Sequence, residues 1–502
     1  MSRWLWIVLA VAALARLHLQ MAAHPPYSGL DELHHVARLA FTLQEGRSPT
    51  MREPSLPPYL RASMKGEGGL PHSFEALGAR WPQAVAERSD LLADRPLTAA
   101  DRRPYEGANY EAQQASLYYL VAAPLARLLP VRTPLAELRL WRGFSLFCAL
   151  VTVLATASIG WRVAGHAGLL AAALLVSLPT WLTLVVRASN DAFACALIAS
   201  AVAVTLHAPS SRRGHLAEGL LWAGAFAAKL YSWPVAVVLP FLWRMQRAPL
   251  RRIVTVVVLG TLAVVITLID LAMRTNNPLG LFAFDRPPAP AAPAAIDYAQ
   301  MLRVLVASFA WTSATHWNAL RPLAIALYLG PLVLIVAWVL ARNWREHRPL
   351  LALSGIAVVT FALAQAVNAA GYIRIARATG VSVPAGGKEG WYWYALAPLL
   401  IGVVLAIVLR RLPLAAVAAV VLWIVAWDVF IHEGALFQDF AGYTSSTAHD
   451  LFFRWGGRTL PFARDLDLER VSVGPGVQCM LLDRIVHLAA LGIVTAGCGR
   501  NR

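Results

Sequence analysis

The chain has 502 residues, 58% of them apolar and only 14% charged. Soluble domains hold about 45–50% apolar and about 25% charged residues, so an ordinary cytosolic enzyme, a disordered chain and a secreted disulfide scaffold are excluded. Four cysteines are too few for a disulfide framework or a metal cluster. A net charge of +16 would suggest nucleic acid in a soluble chain. Here the basic residues form short clusters between apolar blocks, as the positive-inside rule requires, and no nucleic-acid motif accompanies them. No nucleic-acid partner is expected.

The apolar blocks are long enough to cross a bilayer, so the expected fold class is all-α and polytopic, with about eleven transmembrane helices (11–13). The first block, 4–22, follows Arg3 and precedes Ala22–Ala23 in the manner of a cleaved leader. Arg16 and His18 interrupt it, and it is read as an uncleaved helix with its N-terminus inside. A long outer segment, 23–138, follows. Within it, 31–45 (DELHHVARLAFTLQE) has helical spacing with Leu33, Val36, Leu39, Ala40 and Leu43 on one face, which predicts an amphipathic helix lying on the membrane. Residues 116–130 predict a second, interfacial helix, because the apolar run is short and holds a proline.

Spans are then expected at 139–160, 167–186, 190–207, 216–228, 229–243, 253–273, 321–341, 349–370, 391–410 and 412–431. The segment 216–243 divides into two short helices turning near Lys229 and Pro234. As one helix it would carry Lys229 at mid-bilayer, at a cost of about 3 kcal/mol. The connections 274–320, a Pro/Ala-rich flexible loop, and 371–390 are expected outside. Residues 1–431 then form the transmembrane domain and 432–502 a small outer-face tail, with the apolar stretch 485–495 short for a span. Cys479 and Cys498 in that tail could pair. In this topology the arginines gather inside, and most acids face outward.

That outer face holds the candidate chemistry. Asp31–Glu32 follow the first helix at the interface, where a carboxylate can act as general base or help hold a divalent cation; capping of the 31–45 helix is the structural alternative. Asn190–Asp191, preceded by Arg187, sit at the next outer turn, where a carboxylate is either functional or an N-cap. Lys229, Arg374, Arg377 and Lys388 face the same side and suit a lipid phosphate, or simply snorkel to headgroups. His34 and His35 beside Asp31 could ligate a metal, although neighbours on a helix point about 100° apart. Cys148 and Cys195 read as buried small residues. There is no Walker loop, Rossmann fingerprint or GxSxG elbow, and GGKEG (386–390) lacks the strand–helix context of a phosphate loop.

The order of these pieces carries a resemblance. An acidic pair in a long outer loop is followed by YEAQQ…LYYL, then GLLAAALLVSLP…RASND, a lysine between two short helices, and a late YWYALAPLL helix. Over roughly residues 1–431 this resembles the GT-C superfamily of integral-membrane glycosyltransferases. Its members include protein O-mannosyltransferases, lipid A aminoarabinose transferases and oligosaccharyltransferase catalytic subunits, and the nearest likeness is to a bacterial group of that fold. The resemblance implies a polyprenyl-phosphate-linked sugar donor and an acceptor that is protein, glycan or lipid. It also implies inverting transfer at the periplasmic face of a bacterial inner membrane. It assigns catalysis to Asp31, accompanied by Glu32, and to Asp191. Donor phosphate falls to Lys229 and the later cations Arg374, Arg377 and Lys388. It further implies that Asn190, Arg187, Gln113, Gln114, Tyr118 and Tyr392 line the substrate cavity. Two departures stand out. The family's H/Q-P-P-L-Y-Y-L is here Gln113-Gln114-Ala115-Ser116-Leu117-Tyr118-Tyr119-Leu120, without prolines. Its Gly-Arg-Tyr is Gly390-Trp391-Tyr392, without the arginine. The alternatives are a lipid-binding or flippase-like protein on the same scaffold, and a secondary transporter, which would show inverted repeats.

Overall fold

The computed structural model describes residues 2–23, 32–62, 95–128, 133–275, 305–310, 318–379, 390–431, 457–459 and 474–499. Apolar sequence produces helix almost throughout. Helix α1 (Ser2–Ala23) leads to α2 (Glu32–Glu45). A small two-stranded sheet follows, β1 (Pro54–Leu56) against β2 (Glu106–Ala108), antiparallel with Leu56 opposite Glu106. Two short helices, α3 (Leu117–Ala122) and α4 (Leu125–Leu128), flank Pro124 and are too short to cross. Next comes α5 (Pro134–Ala164), opened by Pro134 in the first turn and by Thr133, whose hydroxyl accepts the Ala136 N–H at 3.2 Å.

The expected span 167–186 is broken. Helices α6 (His166–Leu175) and α7 (Pro179–Val185) meet at 68°, because Pro179 has no N–H to continue α6 and holds Leu178 extended. Gly168 packs so closely on Gly160 that a Cβ there would lie 1.9 Å from the Gly160 backbone, so only glycine lets α6 fold back on α5. Beyond are α8 (Asn190–His207), α9 (Arg212–Ala228), α10 (Val238–Gln246) and α11 (Leu250–Thr275). Then come β3 (Asn318–Leu320), which pairs with β4 (Gly457–Thr459), and α12 (Pro322–Thr379). The span α13 (Tyr392–Arg411), α14 (Leu414–Ile431) and α15 (Gly474–Gly499) complete the chain.

Among the described residues, seven helices are long and apolar enough to cross a membrane, or eight if the bent pair is one span. The chain is an integral, multi-pass membrane protein of all-α class. The expected count of eleven is not reached among these residues, for physical reasons. The 216–243 region does turn at Lys229, but its helices are short. The two spans expected at 321–341 and 349–370 join in the 58-residue run α12, with Pro331 and Pro349 inside. No glycine interrupts Asn343–Arg348, so helix continues where a loop was expected. A straight rod of that length would reach about 87 Å, nearly three hydrocarbon thicknesses. Along it, Tyr328 packs on Trp427, Glu346 pairs with Arg411 and Phe361 packs on Trp393. Helix also continues to Thr379 through the first part of the expected loop 371–390.

Two expectations for the remaining segments change. Helix α2 does not keep an exposed polar face: every residue from Glu32 to Thr42 is buried, polar face included. The tail contains α15, whose Ala490, Leu491 and Val494 are buried beside α1 and α6. Within one helix, Cys479 and Cys498 stand nineteen residues apart, about 28 Å, far beyond disulfide reach.

Candidate functional site

The site is assembled where helix ends converge. Helix α8 begins at Asn190, so Asp191 sits in its first turn, where the helix dipole favours negative charge. Helix α9 ends at Ala228, and Lys229 is its extended C-cap (φ −162°, ψ 139°). The freed carbonyls are taken up locally. The Ser232 hydroxyl lies 2.7 Å from both Ala225 O and Lys229 O, and the Trp233 indole donates to Phe226 O at 3.1 Å. This turn aims the Lys229 ammonium across at α8. It donates to Asn190 Oδ1 at 2.9 Å and forms a short ion pair with Asp191, whose Oδ1 also accepts the Tyr231 hydroxyl at 3.0 Å. The ammonium lies 5.1 Å from the Tyr231 ring centre and 5.6 Å from that of Tyr392, a cation–π cage. Asp191, Lys229, Asn190 and Tyr392, far apart in sequence, are thus brought together. Arg187, just upstream, is wholly buried.

A second link ties this cluster to α2. The Glu32 carboxylate takes a two-pronged grip from Arg142 on α5, Nε to Oε1 at 2.7 Å and Nη2 to Oε2 at 2.6 Å. Its Oε1 also accepts the Ala188 backbone N–H at 3.0 Å. Arg142 Nη1 adds a bond to Met21 O at 3.2 Å. Glu32 therefore joins the end of α1, the start of α2 and the turn just before Asn190. Its oxygens are spent on this junction, so it holds position. Asp31 and Lys388 lie outside the described residues. Arg374 and Arg377 fall on α12, with side chains outside the description.

The YEAQQ…LYYL segment packs on the buried polar face of α2. His35 Nδ1 is 2.7 Å from the Tyr119 hydroxyl, which donates to Glu111 at 3.2 Å. Arg38 lies 3.7 Å over the Tyr119 ring and donates to the carbonyls of Glu111 and Gln114 and to Ser48 and Ser116. Burial lowers the Arg38 guanidinium to about 10, so it stays charged at neutral pH, and burial with Glu111 nearby pushes the Tyr119 phenol well up. From α11, Arg274 takes the Ala112 carbonyl and, at 2.9 Å, the same Gln114 oxygen. The loop that lacks prolines is thus shaped by two arginines. Gln113 and Gln114 are half-buried, Gln114 contributing its backbone. Tyr118 belongs to an aromatic core with Tyr119, Phe144 and Phe193 and is not in the Lys229 cage.

Sequence reasoning missed Arg142, Tyr231, Arg38, Glu111 and Tyr119. Tyr231 had a signal, being two residues past Lys229, and Glu111 stood inside a quoted motif. Arg142 had none, because an arginine inside an apolar helix points to its partner only in three dimensions. For a divalent cation the described donors do not fit. No group of three or more His, Cys, Asp or Glu side chains converges among the described residues, Glu32 is held by Arg142 and Asp191 by Lys229.

No protein-family model matches the chain, and no curated protein does. Among solved structures it is similar to ArnT from Cupriavidus metallidurans bound to undecaprenyl phosphate. That match has 14% identity and a TM-score of 0.48, covering 99% of this chain and 78% of the other. The apo state of the same protein matches at 14% identity and 0.41, over 92% and 75%. The oligosaccharyltransferase of Archaeoglobus fulgidus, in complex with Zn and sulfate, matches at 12% and 0.36; the chain covers 51% of its length. At such low identity and score these likenesses carry no argument about chemistry.

Proposed function

We propose that this protein is a glycosyltransferase of the GT-C type. It moves a sugar from a polyprenyl-phosphate donor to an acceptor hydroxyl at the membrane face where α1 ends and α8 begins. The observation that carries this reading is the buried Lys229, caged by Tyr231 and Tyr392 and tied to Asn190 and Asp191, one backbone turn from the Glu32–Arg142 junction. An ammonium next to a carboxylate at helix ends, set among aromatic rings, suits an anionic headgroup and a sugar. The sequence resemblance supports the same assignment.

In this mechanism the Asp31 carboxylate takes the proton of the acceptor hydroxyl as its oxygen attacks the anomeric carbon. The bond from that carbon to the phosphate oxygen breaks, and the electron pair leaves on the polyprenyl phosphate. Lys229 neutralises that departing charge, with Arg374, Arg377 or Lys388 supplying further cations. In-line attack inverts the sugar. Glu32 and Arg142 position Asp31, and Asp191 holds Lys229 until phosphate arrives. No step is routed through a metal ion. The arginine clusters at the opposite end support a periplasmic location for this face, in a bacterial inner membrane.

The test is native mass spectrometry of the detergent-purified protein, wild type beside Asp31→Asn. A sugar-bearing polyprenyl lipid retained on Asp31→Asn, against bare polyprenyl phosphate on wild type, is the expected result and gives the sugar's mass. The same lipid on both forms would instead indicate binding or flipping without chemistry.

A further inference from the structure

In the break between α6 and α7 the N–H groups of Ser177 and Leu178 turn back on α6, but the Val176 carbonyl and the Ser177 hydroxyl find partners elsewhere. Arg16 on α1 donates Nε to the Val176 carbonyl at 2.7 Å. The same guanidinium pairs with Asp428 on α14 and, at 3.3 Å, with Asp483 on α15. Asp483 also accepts from Gln20 at 2.8 Å. One turn along α15, His487 Nε2 is 2.7 Å from the hydroxyl of Ser177, inside the break. All six side chains are at most 4% exposed. Buried ion pairs add little net stability and are costly inside a membrane. A helix needing only to stick could do so through apolar contacts. What these bonds supply is position.

The rest of α15 has the two faces of a lipid-facing helix. Asp483, His487, Ala490, Leu491 and Val494 are buried, while Leu482, Ile485, Leu488 and Ile493 are 48–67% exposed and all apolar. Asp483 stands level with Gln20, and His487 level with Arg16 and Ser177. The helix therefore runs antiparallel to α1, away from the end that carries the site.

We propose that α15 is a membrane-crossing strut and that Asp483 and His487 are positioning residues for the candidate site. They hold the break at Val176–Ser177, and through α7 they set the register of Arg187, Asn190 and Asp191. The inference rests on the preceding reading only for what that register serves.

Two thiol experiments on the full chain in proteoliposomes test it without any sugar transfer, so either reading can fail alone. In the first, Cys498→Ser and Cys479→Ser each leave one cysteine at one end of α15. A membrane-impermeant maleimide is expected to label Cys479 and Cys498 from opposite sides. Labelling of both from one side would overturn the crossing. In the second, Cys195 is the reporter: it is buried one turn from Asp191, and the other three cysteines are replaced. His487→Leu is expected to raise its maleimide reactivity about tenfold or more by opening the α7–α8 region locally. His487→Gln, which can still bond Ser177, is expected to leave it unchanged. If the leucine variant does not fold, Ser177→Ala removes the same bond with a smaller change. Unchanged Cys195 reactivity in variants lacking the bond would overturn the positioning role.

Discussion

Two buried cation–carboxylate clusters, Arg252–Glu218 and Lys229–Asp191, lie near opposite ends of α8 and are built differently. At the arginine-rich end, Arg252 grips Glu218 with Nε at 2.6 Å and Nη2 at 3.0 Å. Thr205 and Trp243 also donate to that carboxylate, and Arg252 binds Gln246 and the Thr205 carbonyl besides. Glu218 is 0% and Arg252 1% exposed. At the other end Lys229 meets Asp191 as a point charge, both at the rim of burial and beside two tyrosine rings. A planar fork whose bonds are all spent on fixed protein partners is a staple. A rotatable ammonium can be handed from a carboxylate to an incoming phosphate. On the proposed function, the difference separates architecture from chemistry in two cation–carboxylate motifs.

The largest effect expected is on transfer. Lys229→Met should lower turnover of a polyprenyl-phosphate-linked sugar by roughly 100- to 1,000-fold, the usual cost of removing one group that stabilises developing negative charge. A transfer assay on monodisperse protein checks it; activity within a few-fold of wild type would make the Lys229 cluster a second staple. The converse holds at the far end. Arg252→Met should cost about 3–5 kcal/mol by stranding the Glu218 carboxylate. Thermal unfolding in detergent measures this, and the double variant Arg252→Met/Glu218→Leu should recover most of it with turnover per folded molecule intact. Loss of turnover in that folded double variant would erase the contrast.

An exposed pair in the segment between α2 and α5 sets the bottom of the scale. Arg95 holds the Asp101 carboxyl well below the ordinary carboxylate range, with help from Thr98. Its folded pKa lies below the unfolded value of about 3.9, so the contribution is present in full above that pH and is lost as pH falls through the folded value. Water screens the pair, so Arg95→Ala should cost under about 1 kcal/mol. Hydrogen exchange across residues 95–102 at pH 7 and pH 3 would register it; equal protection of wild type and variant at pH 7 would leave the pair without effect.

What the sequence by itself determined is whatever depends on runs and nearest neighbours. Long apolar blocks specify membrane helices, Lys229 between two short blocks specifies a turn, and Asn190–Asp191 at a helix start specifies charge at a dipole. Tertiary structure decided whatever depends on partners distant in sequence. Helix α2 reads as amphipathic, yet its polar face is buried, because His35 and Arg38 find Tyr119, Glu111 and Gln114 between 73 and 84 residues away. Glu32 reads as a second acid and proves to be a junction only when Arg142 and Ala188 close on it. The stretch 485–495 reads as short for a span, and only the docking of Asp483 and His487 onto Arg16, Gln20 and Ser177 shows that α15 is part of the bundle. The physical reason is common to all three. Hydropathy measures a residue's cost against solvent or lipid, whereas a buried polar group is allowed by the one partner that satisfies it, and that partner is located by the fold.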